Sequence, residues 1–331
     1  MLKIGVLGAG HLGKIHLKLI KEISAYQLCG FFDPDNDTAE KVSNELKIKK
    51  FNSLDELIDA VDVIDIVTPT LSHYECAEAS IKKGKHLFIE KPLAYSIKEA
   101  EELVKMVKVA GIKAQVGHVE RFNPAFIAAQ ETVLKPMFIE STRIAQYNPR
   151  GNDVSVVLDL MIHDIDIILS LVDSKVKQIN ASGVSIISDS PDIANARVEF
   201  ENGYVANLTA SRASLKNERK MRLFQKNSYI TINFLDKKVA VYKIHELQGE
   251  STDPFSFVID PGNGKKKKEI IYSTPKVPEI NSIKHELTLF SESILNDTTP
   301  EVTIDDGFRS LKLAYEILEE INKSQEKVNL K

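Results

Sequence analysis

A chain of 331 residues has room for about two domains of ordinary size. Its 43% hydrophobic and 27% charged residues are a globular mixture, and a net charge of -4 offers no general attraction to nucleic acid or an anionic membrane. Two cysteines, Cys29 and Cys76, lie in segments that read as buried strand or helix, which argues against a disulfide framework, and no apolar run reaches the length of a bilayer span. The first seven residues read as strand with no leader pattern, so a cytoplasmic protein is expected.

Residues 2–7 form a short apolar run that leads at once into Gly8-Ala9-Gly10-His11-Leu12-Gly13 and a helix-like segment to residue 23. Strand, glycine loop and helix in that order are the setting a dinucleotide fingerprint requires. Gly8 permits the tight turn, Gly10 lets the backbone approach a pyrophosphate, and Gly13 lets helix and strand pack closely. The helix that His11 and Leu12 open presents its N-terminal N–H groups and positive dipole end to the phosphates. A second apolar run, 26–32, ends at Asp33, where an acidic residue meets the adenosine ribose in such folds. A carboxylate there accepts the ribose hydroxyls and repels a 2′-phosphate, which predicts NAD rather than NADP. The competing reading makes Asp33 an N-cap or turn residue in Asp33-Pro34-Asp35, and the two roles are compatible.

Helices over 53–60, 74–83 and 97–110 then alternate with strands over 63–67, 85–89 and 113–116. This predicts βαβ units in a Rossmann-type, doubly wound parallel sheet. Thr68 and Pro69, with Ser72 and His73, follow one strand end and are expected on the nicotinamide side of the crevice. For His73 a structural cap or an exposed position is the alternative. Glu90-Lys91-Pro92 follows another strand. Proline cannot continue a central strand, so Lys91 marks a carboxyl end, the side on which open α/β sheets bind ligands. A solvated lysine in a surface loop is the bland alternative.

Past Pro124 the composition changes. A helix is predicted over 124–133 and a longer one over 154–172. In the second, Val154, Leu158, Met161, Ile165, Ile168 and Val172 make one buried stripe, while Asp159, His163, Asp166 and Ser170 recur on an exposed face. That places a carboxylate one turn from an imidazole. Taken alone the pair reads first as an ordinary solvated i,i+4 pair, with acid/base machinery as the alternative. It has too few ligands for a metal site, so no metal is expected, and no Gly-x-Ser-x-Gly elbow supports a hydrolase. Runs over 178–187, 194–200, 204–211, 219–225, 229–234 and 238–244 predict a large, mostly antiparallel sheet. Helices can cover one face of it, and a second subunit the other, so a homodimer or homotetramer is expected. The turn Asp260-Pro261-Gly262-Asn263-Gly264 before Lys265 to Lys268 reads as a hairpin edge, and helices over 281–295 and 305–321 close the chain. The expected division is 1–119 and 120–331.

In their order and spacing, Gly8-x-Gly10-x-x-Gly13, Thr68-Pro69 with His73, Glu90-Lys91-Pro92 and Asp159-x-x-x-His163 resemble the Gfo/Idh/MocA oxidoreductases over nearly the whole chain. The resemblance implies an N-terminal Rossmann domain, a C-terminal α/β domain whose open sheet serves oligomerisation, and nicotinamide-dependent oxidation or reduction of a sugar or polyol carbon. It implies that Lys91 meets the nicotinamide ribose and the reacting hydroxyl, that a cis peptide bond precedes Pro92, and that His163 is the acid/base partner oriented near Asp159. Glu90 belongs to the same cofactor-binding motif.

A narrower resemblance lies in residues 116–125, which are similar to the corresponding stretch of members that oxidise UDP-N-acetylglucosamine at C3. It implies substrate contacts by Arg121 and Asn123, with Tyr147 and Arg150 as further candidates for sugar and diphosphate. A structural salt bridge is the competing reading for these positions. A free sugar or inositol is the alternative substrate, and a non-catalytic NAD-binding sensor or scaffold is the rival from another class.

Overall fold

Short apolar runs alternate with helical segments at the start of the chain. They form β1 (Leu2–Leu7), α1 (His11–Ile20), β2 (Tyr26–Phe32), α2 (Asn36–Leu46), α3 (Leu54–Asp59) and β3 (Val63–Ile66). There follow α4 (His73–Lys82), β4 (His86–Glu90), α5 (Ile97–Ala110) and β5 (Ala114–Gly117). The strands pair in parallel in the order β2-β1-β3-β4-β5, which is the doubly wound sheet the alternation predicts. All four residues of β3 are buried, as in a sheet covered on both faces. Ser96 and Glu99 cap α5 reciprocally, and Gly111 ends it in the left-handed conformation at φ 65°. Sequence periodicity misses α2. Its only buried residues are Ala39 and Val42, and the Asp35 side chain starts it by accepting from Thr38 N–H.

The computed structural model describes residues 1–132, 135–148, 154–249 and 256–329. The second stretch comprises α6 (Pro124–Gln130), β6 (Phe138–Gln146), a π-helical turn Val157–Met161, α7 (Ile162–Leu171) and β7 (Val176–Val184). It continues with β8 (Ile193–Phe200), β9 (Val205–Ser214), β10 (Glu218–Gln225), β11 (Ser228–Asn233), β12 (Lys238–Glu246), β13 (Phe257–Ile259) and β14 (Lys268–Ser273). These strands form one sheet in the order β13-β14-β12-β11-β10-β6-β9-β8-β7, in which only the β6–β9 pairing is parallel. The predicted hairpin edge is the β13–β14 pair. On one face Met221, Leu223, Ile230, Ile232, Val239 and Val241 are buried, with α6 and α7 packed on that layer. The opposite face carries a cross-strand ladder, Phe138, Phe224, Tyr229, Tyr242 and Tyr272, with successive ring centroids 5.8, 4.8, 5.2 and 5.2 Å apart.

Two helices, α8 (Ser282–Leu295) and α9 (Ile304–Asn329), end the described chain. Leu287 and Phe290 of α8 enter the core formed by Ile4, Val6, Phe31 and Phe88, and Val116 N–H donates to the Val302 carbonyl at 3.1 Å. Residues 280–315 therefore join residues 1–122 in one compact unit, and residues 123–279 with 316–331 form the other. The expected division at 119/120 is corrected by this return of the chain, which brings apolar residues back to the first core. No helix among the described residues is long and apolar enough to cross a membrane.

Candidate active site

In the first unit the three glycines of the loop after β1 have distinct jobs. Gly8 adopts φ 93°, and a Cβ there would lie 2.7 Å from the Val67 carbonyl oxygen. A Cβ on Gly13 would collide with the Gly8 carbonyl oxygen, so α1 can lie against the loop only without one. Around Gly10 nothing lies within 4 Å, leaving its backbone open to an approaching group at the N-cap of α1. The carboxylate of Asp33 ties this loop to the end of β2. Its Oδ2 accepts from Ala9 N–H at 2.7 Å and its Oδ1 from Asp35 N–H at 3.0 Å. Asp33 thus anchors a turn, as one reading expected, while Asp35 rather than Asp33 caps α2; each Asp33 oxygen retains a further lone pair.

These residues wall a crevice of about 730 Å³, within the range of small-molecule sites, that Gly8, Gly10, His11, Leu12, Asp33, Thr68, Pro69, Glu90 and Lys91 all line. Cys76, which sequence reasoning did not single out for the site, lines it as well, and burial pushes its thiol up to about 11. His73 is placed differently. It is 1% exposed, with Nδ1 2.9 Å from the Pro92 carbonyl and Nε2 2.9 Å from the Thr68 carbonyl. Burial lowers its pKa despite these acceptors. Its ring braces the Thr68 and Pro92 segments against each other behind the crevice wall, where direct cofactor contact was expected. The Lys91–Pro92 peptide is cis, as the resemblance implied.

Behind Glu90 lies a set of buried ionisable groups that sequence reasoning missed. His16 Nδ1 is 2.9 Å from Asp65 Oδ2, and His16 Nε2 is 3.3 Å from Glu90 Oε1. Burial alone would lower the His16 pKa, but Asp65 and Glu90 together raise it well above its ordinary value. A signal existed: an aspartate at the centre of the apolar strand Val63–Ile66 has to find a partner.

In the second unit the helix bearing Asp159 and His163 is more buried than its pattern predicts. Asp166 has no exposure, Asp159 and His163 are half-buried, and Ile162 and Ile167 are buried beside the expected stripe. The solvated polar face is therefore corrected. The segment lies against β6 and β9, and the sheet supplies ionic partners to its polar side. From β6, Arg143 donates to both oxygens of Asp164, Nε to Oδ2 at 3.0 Å and Nη2 to Oδ1 at 2.8 Å. From β9, Arg212 donates to Asp192 Oδ1 at 2.9 Å and to the Val154 carbonyl at 2.6 Å, just before the π-helical turn that holds Asp159. Burial would raise the Asp192 pKa, but the N–H groups of Ile187, Ser188 and Ile186 together with Arg212 hold it below the usual carboxylate range. Asp159 and His163 thus stand on a segment clamped at both ends, with a π-turn between the clamps.

Arg121, on the 3-10 turn Val119–Phe122 of the first unit, has Nη1 3.8 Å from Asp306 Oδ2 and 3.4 Å from the Glu301 carbonyl. Asn123 begins the second unit and caps α6, its Oδ1 accepting from Ala125 N–H at 3.0 Å while Nδ2 donates to the Phe234 carbonyl at 3.1 Å. Tyr147 is 39% exposed beyond β6, and Arg150 lies outside the described residues. Among the described residues no group of three or more His, Cys, Asp or Glu is arranged to hold a metal ion.

A glycine loop opening a helix, an acidic residue closing β2 and a lysine on a cis turn at the end of β4 define a dinucleotide-binding oxidoreductase domain. The chain belongs to the Gfo/Idh/MocA family: residues 2–118 match its NAD-binding Rossmann-fold oxidoreductase domain, and residues 138–230 match its C-terminal domain. The UDP-N-acetylglucosamine 3-dehydrogenase of Acidithiobacillus ferrooxidans is 37% identical over 242 residues, 73% of this chain and 77% of that protein. A solved structure of that enzyme superposes with a TM-score of 0.87, covering 97% of each chain at 31% identity. The scyllo-inositol 2-dehydrogenase (NAD(+)) of Bacillus subtilis is 31% identical over 64% of this chain and 68% of its own. Levoglucosan dehydrogenase in complex with NADH has the same fold, with a TM-score of 0.80 at 19% identity over 97% of both chains. The crevice fits the cofactor that the family binds, because its glycine floor is open where a Cβ at position 10 would stand and its far wall carries Asp33.

Proposed function

We propose that this oxidoreductase transfers hydride between NAD and the C3 carbinol of a UDP-linked N-acetylamino sugar. The observation that carries the substrate reading is the likeness over 97% of both chains to UDP-N-acetylglucosamine 3-dehydrogenase. Bound NAD supplies the hydride acceptor; the protein positions the alcohol and manages its proton. Hydride leaves a secondary alcohol only as the hydroxyl proton leaves too. In this reading His163 takes that proton, imidazole being the side chain whose ordinary titration lies nearest neutral pH, and Asp159 orients it. The Lys91 ammonium stabilises the developing alkoxide. His11, Leu12, Thr68, Pro69 and Glu90 contact the cofactor, and Asp33 selects NAD. Arg121, Asn123, Tyr147 and Arg150 are assigned to the sugar and diphosphate.

The protein works as a cytoplasmic homodimer or homotetramer in this reading. Support for the assembly comes from the aromatic ladder on the uncovered sheet face, and support for the compartment from the free cysteines Cys29 and Cys76. The inositol relative favours a second reading, in which the substrate is a cyclitol or free sugar.

One experiment separates them: NADH absorbance after UDP-N-acetylglucosamine, free sugars or inositols are added to protein and NAD. Turnover with the UDP-sugar is expected. Turnover with free sugars or inositol alone would discard the nucleotide-sugar reading, and silence in all wells with NAD binding intact would favour a non-catalytic sensor. With the active substrate, Lys91→Ala and His163→Ala should each lower kcat by about 100-fold or more while NAD binding stays near wild type. Unchanged turnover in either variant would remove that residue from the mechanism.

A further inference from the structure

The crevice has two unlike ends. A dinucleotide seated over the glycine loop places its adenosine toward Asp33 beyond β2 and its nicotinamide on the other side of β1, toward the ends of β3 and β4. Glu90 and Lys91 form the wall at that second end. The Glu90 side chain is held there from three directions. His16 Nε2 lies 3.3 Å from Oε1, Lys91 N–H donates to Oε2 at 3.2 Å, and the absent side chain of Gly117 makes room, since a Cβ there would stand 2.9 Å from the Glu90 carboxyl carbon.

His16 is fully buried and shared between two carboxylates, Asp65 on β3 and Glu90 on β4. With the imidazole protonated, two negative charges flank one positive charge, and the excess charge faces the crevice through Glu90. A third carboxyl behind the sheet adds nothing to this sum. Glu286 of α8 is wholly buried, and burial first, then the charge of Glu90, push its pKa well up, so it keeps its proton.

We infer that the buried His16–Asp65 pair holds the Glu90 side chain at the nicotinamide end of the crevice, where its charge favours the cationic ring of NAD+ over the neutral ring of NADH. The inference rests on NAD binding by this domain and not on which alcohol is the substrate. Lys91 lines the same wall and opposes a cationic ring. Glu90 offsets it, so losing the Glu90 charge acts in the same direction. His16 and Asp65 are positioning residues in this account, since neither lines the crevice.

The test is the dissociation constants of NAD+, NADH and ADP-ribose, measured by calorimetry on the wild-type protein and on Glu90→Gln, His16→Gln and Asp65→Asn. ADP-ribose has no nicotinamide and reports the rest of the crevice. In Glu90→Gln the affinity for NAD+ should fall about tenfold relative to NADH, the ratio carried by roughly 1.4 kcal/mol, while ADP-ribose binding changes by less than about twofold. His16→Gln should move the ratio the same way, because the Glu90 side chain loses the imidazole that holds it from behind the crevice wall. Asp65→Asn tests the same coupling should His16→Gln not fold. An unchanged NAD+ to NADH ratio in Glu90→Gln, or equal weakening of all three ligands, would overturn the inference. A shifted ratio in Glu90→Gln with none in His16→Gln and Asp65→Asn would overturn the role given to the buried pair.

Discussion

Replacing Gly10 or Gly13 by alanine separates cofactor approach from protein packing. The two positions are three residues apart, yet their surroundings are opposite. At Gly10 the backbone has φ -65° and ψ -160°, which alanine tolerates, and its Cβ would meet nothing within 4 Å. The free protein loses only the preference of glycine over alanine at an N-cap, at most about 1 kcal/mol. At Gly13 the Cβ would meet the Gly8 backbone, which no rotamer change relieves. Shifting α1 to make room costs about 3 kcal/mol on the scale of overpacked cores, and about 1 kcal/mol returns because alanine is the better helix former. The net loss of about 2 kcal/mol corresponds to roughly 4–8 °C in Tm for a unit of this size, against no more than about 2–4 °C for Gly10→Ala. With cofactor the order reverses in origin. Gly10→Ala fills the space through which a pyrophosphate approaches the backbone and should weaken NAD binding at least about tenfold with little change in the free protein. Differential scanning fluorimetry without cofactor and calorimetric titration with NAD give both numbers. Wild-type affinity in Gly10→Ala, or a fall in Tm matching that of Gly13→Ala, would refute the assignment of distinct jobs to the two glycines.

The two buried or anchoring carboxylates of the first unit give further tests. Glu286 has a raised pKa in the folded protein, so the native state holds a proton that the unfolded chain releases above about pH 4.5. Its contribution is complete below that value and is lost as pH rises toward the folded pKa; Glu286→Gln should therefore flatten the alkaline decline of stability in urea melts, and identical slopes would show that Glu286 is ionised in the native state. For Asp33, Asp33→Asn removes the charge that repels a 2′-phosphate, and the affinity for NADP relative to NAD should rise about tenfold or more. An unchanged ratio would leave Asp33 as an anchor for Ala9 and Asp35 alone.

Where hydrophobic spacing and glycine placement determine structure, the chain could be read directly. The parallel sheet followed from apolar runs alternating with helical periods, and the crevice followed from Gly8, Gly10 and Gly13 set between strand and helix. The failures around the candidate site share one physical cause, polar residues buried by partners distant in sequence. Strand β6 has Ile139, Ser141 and Arg143 on its inner face, an alternation that looks solvated until Asp164 is known to pair with Arg143. The same pair hides the burial of the helix after residue 154, because spacing alone cannot distinguish an aspartate facing water from one facing a guanidinium. His16 reaches Asp65 across 49 positions, and Glu286 comes in from the far end of the chain. Local periodicity carries no record of such pairs. They are also the groups that set charge inside the unit, so the part of the site that tunes the chemistry is the part least visible in the sequence. An apolar run can be satisfied by any apolar neighbour, whereas a buried charge requires one particular partner, and that partner can be identified only once the chain has folded.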